Sequence, residues 1–197
     1  MPDLTDRWPL GAELPEVRDA LVAAYATDRG YHDTLHLTEV LDRVDELAGA
    51  GVAFDRLAVP LGAWFHDGVY DGQPGAEERS AQWALDALSG RAVAGEVARL
   101  VRLTEHHRPD DGDDNGCVLS DADLAILAAD EARYGEYAAT VRREYAHVPD
   151  ELFRIGRAAV LRDLLAKQTL FHTAHAREHW ESRARANVES ELAALGG

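Results

Sequence analysis

Apolar positions recur along most of the chain at the three-to-four-residue interval of an α-helix, and β-branched runs that would favour strands are nearly absent. The pattern predicts helices over 15–28, 33–49, 55–70, 77–89, 93–107, 120–130, 132–147, 150–168 and 174–194. Pro15 suits a first helical turn and Gly30 a stop. The second segment carries Leu37, Val40, Leu41 and Val44 at core-facing spacing. The third is apolar on most sides, through Leu57, Val59, Leu61, Ala63, Trp64 and Phe65, as a central buried helix must be. It runs into His66 and Asp67. Residues 72–75 (GQPG) read as a turn, and 110–116 (DDGDDNG) as an acidic loop without helical period. No repeat or long linker interrupts the pattern, so the expectation is one all-α domain over 1–197, with its core at about 13–195.

Composition narrows the possible functions. The 197 residues include 36 Asp and Glu against 20 Lys and Arg, a formal charge of -16. Such a surface repels phosphate backbones, which argues against DNA or RNA as a partner. The single cysteine, Cys117, excludes an internal disulfide framework and a cysteine-based zinc knuckle. It has no base nearby in the sequence and reads as inert. No apolar run is long enough to span a bilayer, and the N-terminus lacks a basic region followed by an apolar one. A soluble cytoplasmic protein with no membrane partner is expected. Nine histidines direct attention to metal chemistry, since imidazole is the commonest metal ligand.

Three metal readings compete. Asp111, Asp113, Asn115 and Gly116 fit the first positions of a calcium loop, but the twelfth position is Ala122 instead of a bidentate glutamate. A solvated loop accounts for them better. His175, Glu178 and His179 match a short zinc-protease pattern, yet their helix is rich in Arg and Glu and reads as a solvated face. The third reading gathers His36, His66, Asp67 and an aspartate at 121 or 123, all within or beside apolar runs. Burying such groups is costly unless something satisfies them. A mixed imidazole and carboxylate set suits Mn, Fe, Co, Ni or Zn better than calcium. Tyr134, Tyr137 and Tyr145 recur at helical spacing and read as core.

The order His, His-Asp, Asp resembles the HD superfamily of metal-dependent phosphohydrolases. The longer segments 31–36 (YHDTLH), 63–70 (AWFHDGVY), 77–81 (EERSA) and 119–124 (LSDADL) look like one bacterial subfamily, described as predicted metal-dependent phosphohydrolases. Segments 141–145 (VRREY) and 181–187 (ESRARAN) are similar too, so the resemblance covers roughly 25–192. Ala76 stands where that family often has Asn. The resemblance implies an HD-type helical bundle with a central metal site and hydrolysis of phosphoesters. The run from Asp123 to Ile126 resembles the helix bearing the last metal aspartate of cyclic-nucleotide phosphodiesterases. It therefore selects Asp123 as fourth ligand, with Asp121 as alternative or outer support.

On that resemblance a divalent ion (Mn, Fe, Co, Ni, Zn or Mg) would activate water against a phosphomonoester or phosphodiester, expected to be a nucleotide. Arg29 and Arg79 are candidate phosphate clamps, since a guanidinium matches phosphate oxygens bidentately, with surface ion pairing as the alternative for each. Asp67, Glu77 and Asp71 are candidate catalytic groups. His32 shares a helix face with His36 and is a candidate support for it. Thr104 and His107 could line the cavity, and His106 with His107 could serve a second ion. The competing expectation is a non-catalytic metal- or nucleotide-binding helical module. A homo-oligomer is compatible with either.

Overall fold

The computed structural model describes residues 4–27 and 29–196, and among these residues it is entirely helical, without strands. The helices are α1 (Pro15–Tyr25), α2 (Thr34–Gly49), α3 (Ala58–Phe65), α4 (Ala76–Ala87), α5 (Ala94–Leu103), α6 (Asp114–Leu124), α7 (Glu131–Glu144), α8 (Asp150–Ala166), α9 (Ala174–His179) and α10 (Glu181–Ala194). Short 3-10 turns occupy Leu4–Arg7 and Ala125–Ala128. No helix is long and apolar enough to cross a membrane, among the described residues. The chain divides into two compact units at residue 123, a boundary that the sequence pattern does not signal.

In the first unit α3 is the hub. Seven of its eight residues are buried, and α2, α4 and α5 pack around it. Its entry is set by the Asp55 carboxylate, which accepts from the backbone N–H groups of Leu57 and Ala58. Gly62 lies where an added Cβ would meet Leu119 of α6 at 3.1 Å and Leu100 of α5 at 3.4 Å. The absence of a side chain there permits the close packing of α3 on both neighbours. In the second unit α10 packs on the Ala125–Ala128 turn, α8 and α9, and Arg157 of α8 grips Glu191 of α10 at 2.7 Å. Tyr134 and Tyr137 are buried as expected, whereas Tyr145 is partly exposed.

Several boundaries differ from the sequence expectation. The first helix closes at Tyr25, and Asp28, its expected end, lies outside the described residues. The third stops at Phe65, with His66 as its cap. The fifth stops at Leu103, after which the N–H groups of Thr104, Glu105 and His106 each bond three residues back and His107 takes a φ of +50°. The sixth begins at Asp114 inside the expected loop, since the Asp113 carboxylate accepts from the Gly116 N–H and caps the first turn. The last breaks at Trp180 into α9 and α10.

Candidate metal centre

Four side chains converge within the first unit. Asp33 caps α2 by accepting from the N–H groups of Leu35 and His36, which fixes His36 in the first turn. The His36 ring is buried, and its Nδ1 sits 2.9 Å from the hydroxyl of buried Tyr31. His66 closes the last turn of α3, and its Nδ1 lies 2.7 Å from the Ala63 carbonyl oxygen. A carbonyl only accepts, so this nitrogen carries the proton, and on the neutral ring Nε2 presents its lone pair inward. Metal-binding histidines are commonly held in this way by a carbonyl on the far nitrogen.

Around that lone pair the donor atoms crowd. His36 Nε2 is 3.1 Å from His66 Nε2. Asp67 Oδ2 stands 3.4 Å from the first and 3.0 Å from the second. Asp123 Oδ1, from the end of α6, stands 3.3 Å and 3.6 Å from the same two nitrogens. Two ligand atoms each about 2.1 Å from one ion are about 3.0 Å apart at a right angle and about 3.4 Å apart at a tetrahedral angle. The observed spacings fall at or close to these values. Among the described residues, His36, His66 and Asp67 form the one group of three donors within 4.8 Å of one another that could hold a metal ion.

The electrostatics of the cluster favour positive charge on its imidazoles and negative charge on its carboxylates. Burial works against charge on every member, yet the pairing outweighs it. Hydrogen bonds to Asp123 and Asp67 raise His36 to a pKa of about 10 despite its burial. His66 is raised as well, against its burial, by the charges of Asp67 and Asp123. Both carboxylates are buried, which would raise them, but the charge of His66 leads the effects that hold them below the usual range. Two imidazoles and two carboxylates thus share a pocket that the chain alone fills with mutual attraction.

The supports were not evident from the pattern of the chain. Tyr25, fully buried on α1, accepts from the Asp67 N–H at 3.2 Å and lies 3.4 Å from His66 Nδ1. Ser80, also buried, accepts from the Val69 N–H and fixes the chain as it leaves α3. Tyr31 and Ser80 lie inside segments 31–36 and 77–81, which offered a signal; Tyr25 offered none. Gly62 in an otherwise bulky apolar helix is itself a recognised sign of close approach.

The remaining candidates fall elsewhere. Arg29 donates to the carbonyls of Asp67 (2.6 Å), Gly68 (3.0 Å) and His32 (3.2 Å), and so braces the loop after α3. Arg79 is engaged bidentately by Asp71 at 2.6 and 2.8 Å, on the exposed surface. That pairing also holds the Asp71 carboxyl below its ordinary range, unlike a group that shuttles protons near neutrality. Glu77 is half-buried in the first turn of α4. His32 stacks on Tyr70 at 4.0 Å and meets the His36 ring edge-on at 5.5 Å. His107, with φ of +50°, places Nε2 3.6 Å from the second oxygen of Asp123 and Nδ1 3.2 Å from Ser120 Oγ. His106 is exposed beside Glu105, and the Thr104 hydroxyl donates to the Val101 carbonyl. Asp121 is fully buried, but Asp123 is the aspartate that reaches the imidazoles.

The other two histidine and aspartate sets are engaged within the fold. Asp113 is bound by Arg99 and the Gly116 N–H, while Asn115 bridges Glu96 and the Asp55 N–H. His175 and His179 stack on each other at 4.2 Å. Neither set forms a three-donor group, among the described residues.

No family model, no curated protein and no solved structure matches the chain. The all-helical fold and the His/Asp cluster are compatible with the HD resemblance without establishing it.

Proposed function

We propose that the protein is a metal-dependent phosphohydrolase, in which His36, His66, Asp67 and Asp123 hold one divalent cation. The observation that carries this reading is the spacing of the four donor atoms, 3.0 to 3.6 Å between each carboxylate and both imidazoles. A bound divalent ion would lower the pKa of a coordinated water and offset charge on the phosphoryl oxygens. The chain supplies the rest. Ala63 and Tyr31 orient the two rings, Tyr25 and Arg29 hold the backbone of Asp67 and Gly68, and the Asp123 carboxylate joins the imidazole pair to His107. His107 Nε2 lies 3.6 Å from an Asp123 oxygen at the edge of the cluster. The substrate class is a small phosphoester, with nucleotides first to be screened.

The test is hydrolysis of nitrophenyl phosphate, its bis-ester and a nucleotide panel by chelator-stripped protein, with Mn, Fe, Co, Ni, Zn or Mg each restored. Turnover that requires the metal and falls by at least about 100-fold in Asp67→Ala is expected. Stoichiometric metal binding with no turnover on any substrate would instead establish a non-catalytic metal-binding module. Equal rates for wild type and Asp67→Ala refute the hydrolase reading.

A further inference from the structure

In the second unit, α8 carries exposed apolar residues alongside its buried face. Ala158 and Leu161 are buried on one side, where Arg157 pairs with Glu191 and Arg154 donates to the Leu195 carbonyl. Outside that face Leu152 (60%) and Ile155 (61%) are exposed about 60° apart, while Val160 (53%) is exposed on another flank, about 140° from Ile155. At about 100° per residue, Leu152, Ile155, Ala159 and Arg162 fall within about 80° of one another on this face, with Gly156 beside them. Isolated exposed apolar residues need no explanation, but a contiguous stripe on a helix that is already packed on another face marks a second layer.

We infer that this face of α8 packs against the same face of a second copy, antiparallel, about a two-fold axis at the level of Arg157. The residue pattern is self-complementary in that register. A two-fold contact sets residue i of one copy against j of the other and j against i. Ile155 then stands opposite Ala159, large against small. Gly156, with open space around its absent side chain, lies near the axis and lets the backbones approach. Such an axis keeps each helix edge on its own side. Exposed Glu151 and exposed Arg162 share one edge, so each Glu151 meets the Arg162 of the other copy, twice per dimer. The antiparallel arrangement also sets opposite ends of the two helix dipoles together. This inference does not depend on the metal reading.

Sedimentation equilibrium of the full chain across the micromolar range tests it. Wild type is expected to dimerise, and Ile155→Glu to raise the dissociation constant by more than about tenfold while keeping its helical circular dichroism. Glu151→Arg and Arg162→Glu should each weaken the dimer several-fold, and the double reversal should restore it to near wild type. A monomeric wild type overturns the inference and leaves the face to a different protein. A dimer indifferent to Ile155→Glu, or a double reversal that restores nothing, overturns it as well.

Discussion

At the residue scale the site depends on groups that never contact an ion. Tyr31 offers His36 a hydroxyl at 2.9 Å, and removing such a ring partner typically costs about 10- to 100-fold in metal affinity. Tyr31→Phe is therefore expected to weaken metal binding by roughly tenfold with little change in melting temperature, as read by competition with a chromophoric chelator. Arg29 yields a prediction that separates two roles. As a brace on three carbonyls its removal should destabilise the fold by about 3 kcal/mol in urea melts, without a selective rise in KM. A phosphate clamp would show the reverse, with stability unchanged and KM raised. The apolar runs of the chain pointed to His36, His66, Asp67 and an aspartate at 121 or 123, because ionisable groups inside such runs are conspicuous, and the family resemblance alone selected Asp123. They did not reveal that Arg29 reaches across to residue 67, since nothing local marks a side chain that bonds to distant backbone.

At the scale of elements, two helix contacts set the geometry. Gly62 faces Leu119, and His66 and Asp123 each lie one turn further along the same pair of helices. The close contact at Gly62 thus sets the distance between two of the donors. Gly62→Val should push α3 and α6 apart, destabilise the protein by about 1–3 kcal/mol and reduce metal affinity more than Tyr31→Phe does. The second contact ties α5 to the start of α6 through Arg99, Glu96 and Asp113. Burial alone would raise Asp113, but Arg99 and the Gly116 N–H hold it below its ordinary pKa. A depressed carboxyl contributes stability that is complete above the unfolded pKa, near 4, and is lost as pH falls through the folded value. Stability should therefore decline below about pH 4, and Asp113→Asn should flatten that decline in urea melts from pH 6 down to pH 3. This same capping explains why α6 begins earlier than the acidic composition suggests. Asp113 acts on a backbone N–H, a role that net charge conceals. The break at Trp180 was equally hidden, because apolar periodicity continues through it.

For the whole molecule, the division at residue 123 places His36, His66, Asp67 and Asp123, the four ligands proposed, in the first unit. A ligand stabilises the state that binds it by about 2.7 kcal/mol at a hundredfold excess over its dissociation constant. Hydrogen exchange with and without a bound divalent ion should show added protection in α2, in α3 and at the end of α6, with smaller changes in α8 and α10. Uniform protection throughout, or none, would contradict a site confined to these helices. The acidity that argued against nucleic acid has a second use, since a formal charge of -16 draws cations toward the protein and makes their capture faster at low salt. Asp123 is also the last of the four donors to leave the ribosome. On the proposed reading the full ligand set is therefore contained in the first 123 residues, and ion capture needs no side chain from α7 to α10.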